Sequence, residues 1–237
     1  MARVLVTRPE PGASATARRL TALGHEPVLL PLSEIRPLKA VLPQAQDVDA
    51  VAITSANALR FLAGGASAEL LDKTCHAVGA RSAEAARAAG FSRVSAGEGD
   101  GAALAAAIDR DEPSGARILY LCGRVRRPEF EQALAAKGYS CLAVETYDSV
   151  FHEPDAASLT TLLGESPADF ALVYSPEAAA CMARVATSEA TARFFEKTCF
   201  LCLSRAVAAR LEGIEPGRTR WSDMPSEDAL LALLPLA

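Results

Sequence analysis

At 237 residues the chain is long for one compact domain and sufficient for two of roughly 110 to 120 residues each. Hydrophobic residues make up 50% and charged residues 22%, which excludes a largely disordered chain, and a net charge of −5 argues against a general nucleic-acid-binding surface. No apolar run approaches the ~18 residues of a membrane span. Met1-Ala2-Arg3 leads straight into a strand-like run without the segments of a signal peptide, so a cytoplasmic protein is expected.

Arg3-Val4-Leu5-Val6-Thr7 reads as a buried strand. A helix follows from about Ala13, with Ala13, Ala17 and Leu20 on one face and Arg18 and Arg19 turned away, and Gly24 ends it. A second strand is expected over Pro27 to Leu32. Strand, helix, glycine and strand again is a βαβ unit, which implies a parallel sheet covered by helices. The segment from Ser33 to Lys39 reads as a connection. Asp49 to Ala58 then gives an acidic start, a buried strand, a Ser turn and the start of a helix. Val78 to Gly90 reads as a strand end, a polar turn and an alanine-rich helix. Gly97-Glu98-Gly99-Asp100-Gly101 lacks the full dinucleotide spacing and reads as a turn before a helix over Ala102 to Ile108. No G-x-x-x-x-G-K-[ST] phosphate loop occurs.

The pattern then repeats. Arg3 aligns with Arg117, Leu20 with Leu134 and Gly24 with Gly138, without a gap. A helix is expected from Pro128 to Lys137 and a strand from Tyr139 to Val144, followed by a connection from Glu145 to Glu153. The block starting at Asp49 returns at Asp169 to Ala178, and the block starting at Val78 returns at Leu201 to Gly213. The helix near Leu104 has a weaker counterpart near Leu230. Two copies imply two similar domains rather than a solenoid, which needs at least three repeats. The expected fold class is therefore α/β, two parallel-sheet domains with the ligand in the cleft between them.

Ligands of parallel α/β sheets bind beyond the carboxyl ends of the strands. Those positions carry Thr7 and Arg8, then Thr54-Ser55-Ala56-Asn57, then Gly79 with Arg81 and Ser82. In the second copy they carry Gly123 and Arg124, Tyr174-Ser175-Pro176, and Ser204-Arg205. Backbone donors and arginines suit carboxylates or phosphates. Equally, Thr54, Ser55, Ser82, Ser175 and Ser204 could do no more than cap helices. No G-x-S-x-G elbow surrounds Ser55 or Ser175, and His25, His76 and His152 are scattered. Tyr147 is a candidate general acid, since a phenol is protonated at neutral pH; its other reading is a packed strand residue.

Cys75, Cys122, Cys141 and Cys181 lie in or beside apolar runs. Cys199 and Cys202 form a CxxC but bracket Phe200-Leu201 in a strand-like run, where residues three apart face opposite sides. No second CxxC or nearby histidine completes a zinc site. No metal is expected.

Taken together, Val4-Leu5-Val6-Thr7-Arg8-Pro9-Glu10, Leu23-Gly24-His25-Glu26-Pro27, Ile53-Thr54-Ser55-Ala56-Asn57-Ala58 and Ala77-Val78-Gly79 resemble uroporphyrinogen-III synthases. So do Ile118 to Arg124, Val144 to Tyr147 and Tyr174-Ser175-Pro176, in family order over nearly the whole chain. The resemblance implies two flavodoxin-like domains joined by a two-stranded linker. One would comprise residues 1–34 plus 153–237, the other 38–145, with linker strands at 33–39 and 145–153. It implies cyclisation of hydroxymethylbilane, an octacarboxylate, to uroporphyrinogen III with inversion of the last ring and loss of water, and with no cofactor. Tyr147 would be the proton donor and the strand-end residues the substrate binders. The only expected partner is this small-molecule substrate, with neither nucleic acid nor membrane, and the chain is expected to act as a monomer. One turn departs from the family pattern: Gly-Pro-Thr-Thr-Ala is replaced by Cys202-Leu203-Ser204-Arg205-Ala206. The alternative function is a non-catalytic tetrapyrrole- or small-anion-binding protein of the same fold.

Overall fold

Val4, Leu5 and Val6 are fully buried, as are Ala50 to Ile53 and Ala171 to Val173, because helices cover both faces of the sheets they belong to. The structure, a computed structural model, describes residues 1–62, 66–97, 99–164 and 166–235. In chain order the first elements are β1 (Arg3–Val6), α1 (Gly12–Ala22), β2 (Glu26–Leu29), β3 (Ser33–Pro37), β4 (Ala50–Ile53), α2 (Asn57–Arg60) and α3 (Ala68–Leu71). Next come β5 (Thr74–Ala77), α4 (Ala80–Ala88), β6 (Arg93–Ala96), α5 (Gly101–Asp111), β7 (Arg117–Gly123), α6 (Glu129–Ala136) and β8 (Ser140–Phe151). The chain ends with α7 (Ala156–Leu163), β9 (Phe170–Val173), α8 (Pro176–Thr187), β10 (Cys199–Cys202), α9 (Arg205–Ala208), β11 (Thr219–Trp221) and α10 (Glu227–Leu231).

The chain forms two compact units, Met1–Glu34 with Val150–Ala237, and Ile35–Ser149. The first holds a five-stranded parallel sheet in the order β2-β1-β9-β10-β11. Numbered within the unit this is 2-1-3-4-5, the flavodoxin-like order, whose switch point lies between β1 and β9. The second unit orders its parallel strands β8-β7-β4-β5-β6, with β3 added beside β8. Here β7 and β8 occupy the places of β1 and β2, and β4, β5 and β6 those of β9, β10 and β11. The switch point falls between β7 and β4. The repeated blocks thus stand at equivalent places in two sheets, although the first unit draws its strands from both ends of the chain.

The repeat extends to side chains. Asp169 Oδ2 accepts the Arg3 N–H at 2.8 Å, and Asp49 Oδ2 accepts the Arg117 N–H at the same distance. The acidic start of each repeated block therefore satisfies the first donor of the neighbouring strand. Gly24 and Gly138 both adopt left-handed backbone, φ 83° and 81°, where α1 and α6 turn into the next strand. The side-chain hydrogen bonds of Arg117 bring the Asp49 carboxyl down to about 2. Because the folded carboxyl ionises at lower pH than the unfolded one, its stabilisation is complete above about pH 4 and disappears as pH falls towards 2. Asp49→Asn is expected to lower stability by at most about 1 kcal/mol at neutral pH, since the pair is exposed. Urea unfolding at pH 7 and pH 2.5 should show that difference shrink at the lower pH, where the carboxyl nears its folded midpoint.

One element departs from the sequence reading. A strand over 139–144 and a distinct linker strand over 145–153 are expected, whereas the two are one strand, β8, that runs unbroken for 12 residues to Phe151. Its far half is held by β3, with the Leu38 N–H donating to Thr146 O and the His152 N–H to Leu32 O, each at 3.0 Å. Tyr147 is consequently a strand residue.

Each sheet separates two apolar layers. In the first unit Cys202 packs into one layer and Cys199 against the other, as the strand alternation requires. In the second, Tyr147 belongs to the layer under α2 and α4. Glu98 of the glycine-rich turn lies outside the described residues; Asp100 caps α5, accepting the Ala102 and Ala103 N–H groups at 3.0 and 3.1 Å. No helix among the described residues is long and apolar enough to cross a membrane.

Candidate active site

The carboxyl ends of the strands carry the polar residues in both units. In the second unit β7 ends on Gly123, and β8 sets Tyr147 opposite it across a register shift between Cys122 and Gly123. The phenol ring lies directly over the glycine. A Cβ at Gly123 would meet Tyr147 Cζ at 2.6 Å, Cε2 at 2.8 Å and the hydroxyl oxygen at 2.9 Å. The Arg124 N–H donates to Tyr147 O at 2.9 Å and fixes the same crossing. Only 8% of Tyr147 is exposed. Burial raises its pKa, and the Ser55 hydroxyl, hydrogen-bonded to the phenol, partly offsets that rise. Ser55 stands where β4 turns into α2, so Tyr147, Gly123 and Ser55 meet at the switch point of this sheet.

Around that point Thr54 Oγ1 and the Tyr120 hydroxyl lie 2.7 Å apart, and burial pushes Tyr120 up to about 12. Ser55 Oγ also accepts the Asn57 N–H at 3.2 Å, closing the turn through Ala56. Arg124 reaches Glu145 Oε2 and Asp148 Oδ2, both at 3.2 Å, on either side of Tyr147. Arg126 binds Glu131 and Glu145 and donates to Gly123 O at 3.2 Å, which holds the loop after β7. Gly79 precedes α4 with open space where a Cβ would stand. Arg81 is exposed, and Ser82 is buried in the first turn of α4.

In the first unit Thr7 is buried and its hydroxyl donates to Leu172 O at 2.6 Å, tying β1 to β9. Arg8 lies with its guanidinium carbon 4.5 Å from the centroid of the Tyr174 ring. Arg8 Nη1 and the Tyr174 hydroxyl donate to Glu227 Oε1 at 3.2 and 3.3 Å, and the Thr16 hydroxyl donates to the same oxygen. Arg19 Nη1 reaches Glu227 Oε2 at 3.1 Å. Burial works to raise the Glu227 pKa, but Thr16, Arg8 and Arg19 outweigh it and hold the carboxyl below its ordinary value. Burial, with Glu227 adding to it, pushes Tyr174 up to about 12.

The candidate residues therefore fall into groups. Ser175 Oγ caps α8 by accepting the Ala178 N–H, with Pro176 as the first helical residue, and Ser204 caps α9 by accepting the Val207 N–H. These two serve as caps, whereas Thr54 and Ser82 do not. Arg205 is exposed at the start of α9. Arg8 and Tyr174 meet at one switch point; Thr54, Ser55, Gly123 and Tyr147 meet at the other. Thr16, Arg19, Tyr120, Arg126 and Glu227 are not singled out by sequence. Glu227 gives no local signal, because only the fold brings it to Arg8. Among the described residues no group of three His, Cys, Asp or Glu side chains is placed to hold a metal ion.

A family model described as uroporphyrinogen-III synthase HemD matches residues 14–232. The chain belongs to the uroporphyrinogen-III synthase family. Members are hydro-lyases of tetrapyrrole biosynthesis. The fold is similar to that of uroporphyrinogen-III synthetase from Helicobacter pylori 26695, with TM-score 0.69, 17% identity and 98% of each chain covered. It is also similar to a mutant uroporphyrinogen III synthase from the extremely thermophilic bacterium Thermus thermophilus, with TM-score 0.54, 21% identity, and 98% of this chain and 96% of that chain covered. No curated protein gives a significant match.

Proposed function

We propose that this chain cyclises hydroxymethylbilane to uroporphyrinogen III and water, and that Tyr147 is the proton donor of the first step. Membership of the synthase family over residues 14–232 carries the reaction. A phenol kept protonated by burial at the sheet's ligand end supports the role of Tyr147. Its proton goes to the departing hydroxyl, the C–O bond breaks, and water leaves an electrophilic azafulvene. The substituted carbon of the last ring attacks that centre and forms a spiro intermediate. The intermediate opens and closes again with the last ring inverted, and the proton lost on rearomatisation returns to the phenolate. The Ser55 hydroxyl, which stabilises the phenolate form, assists the transfer.

The rest of the task is orientation of a flexible octacarboxylate, where pre-placed donors lower the barrier most. Arg8, Arg81, Arg124 and Arg205 supply cations near strand ends for carboxylate recognition. Purified protein should consume hydroxymethylbilane well above the rate of spontaneous closure. Binding of the tetrapyrrole with no acceleration would instead identify a non-catalytic binder.

A further inference from the structure

Three donors converge on a single carboxylate oxygen at the switch point of the first unit. Arg8 Nη1 from the end of β1, the Tyr174 hydroxyl from the end of β9 and the Thr16 hydroxyl from α1 all bond Glu227 Oε1. Its neighbours hold the guanidinium in place. The Arg8 guanidinium is stacked on Tyr174, and a Cβ at Gly12 would come within 2.5 Å of Arg8 Nε, so a side chain at Gly12 would push the guanidinium out of this place. The carboxylate it holds comes from the chain's own last helix. This is the position at which a doubly wound sheet receives an external ligand.

We infer that Glu227 stands in for a substrate carboxylate on Arg8 in the free protein, and that binding exchanges one carboxylate for the other. The inference rests on reading the chain as an enzyme for an octacarboxylate. Both side chains remain open to the solvent, Arg8 19% and Glu227 25% exposed, so an incoming carboxylate can reach the pair. The exchange strands no charge. Glu227 Oε2 already lies 3.1 Å from Arg19, and Arg19 also pairs with Asp228, so Glu227 keeps a cation after leaving Arg8. Until it is displaced, Glu227 keeps three donors oriented and neutralises Arg8; its charge also competes with the ligand. Glu227 is thus a positioning and affinity-setting residue.

The experiment is a fluorescence titration with uroporphyrin III, the oxidised octacarboxylate, on wild type, Glu227→Gln and Arg8→Gln. Glutamine keeps an acceptor for Thr16 and Tyr174 but removes the competing charge. Glu227→Gln is expected to bind about three- to tenfold tighter than wild type, and the gain should shrink as KCl rises and screens the pair. A residue that only supports the fold would give the opposite sign. Arg8→Gln is expected to bind at least tenfold weaker, which keeps the test decisive if Glu227→Gln fails to fold. Equal or weaker binding by folded Glu227→Gln, or unchanged binding by Arg8→Gln, overturns the exchange. A wild type that leaves hydroxymethylbilane to close spontaneously overturns the synthase reading. An active wild type whose Glu227→Gln variant binds no tighter overturns the exchange alone.

Discussion

Tyr147→Phe is expected to lower kcat about 10- to 100-fold while changing product affinity less than about threefold. Removing one oxygen leaves the ring over Gly123 and the apolar packing of the β8 side chain intact. The variant should therefore unfold close to wild type, and the loss should fall on the step that needs a proton. A positioned general acid contributes about 10²–10⁴-fold. A smaller loss than that range is expected here because substrate orientation supplies much of the acceleration. The same assignment fixes a pH profile. Burial raises the phenol above its ordinary value near 10, so the donor stays protonated and the rate should show no alkaline loss from this group below about pH 10. Steady-state kinetics of both proteins between pH 6 and 9.5, with product titration alongside, checks each part. Equal kcat for wild type and variant would reduce Tyr147 to packing.

Gly123→Ala is expected to cost more than Tyr147→Phe, since it attacks position as well as chemistry. The added methyl would need the space that the phenol ring fills, with three ring and hydroxyl atoms within 2.9 Å. The ring cannot swing aside easily, because Tyr147 is packed among buried residues that include Ile53, Ala58 and Leu121. Overpacking of this kind destabilises by about 1–3 kcal/mol. Turnover should fall at least as far as in Tyr147→Phe. The two sites touch, so their effects on kcat should not add, and the double variant should be about as slow as the worse single one. Gly79→Ala is the steric contrast: its backbone is extended at φ −173° and nothing stands within 4 Å of the new methyl. Gly79 is the N-cap of α4, where alanine is the poorer cap, so the cost should be confined to the helix start and stay at or below about 1 kcal/mol.

Much of this arrangement is written locally and can be read from sequence. Apolar runs such as Val4-Leu5-Val6 and Ala50 to Ile53 are strands buried on both faces, and the glycines at 24 and 138 mark equivalent helix ends. The two copies are legible because Arg3 with Asp169 and Arg117 with Asp49 preserve the same strand-start contact. Tyr147 stands out by resemblance, and its ring lies over Gly123 in the structure. What stays hidden depends on long-range closure. Thr16, Arg8 and Glu227 are scattered from one end of the chain to the other, and no periodicity links them. The fusion of the strand at 139–144 with the linker strand into one long β8 is closed by β3 arriving beside it, a tertiary event. Ser175 and Ser204 look like ligand residues in sequence because a helix cap and an anion site need the same hydroxyl at the same place.

The identity of the cyclised product tests the central claim most directly. Hydroxymethylbilane closes without help to the type I isomer, whereas a synthase of this family inverts the last ring before closure. Freshly prepared hydroxymethylbilane, incubated with the purified chain, oxidised and resolved by isomer, should yield the type III porphyrin in large excess. A product that is type I alone, at every protein concentration, would contradict the account.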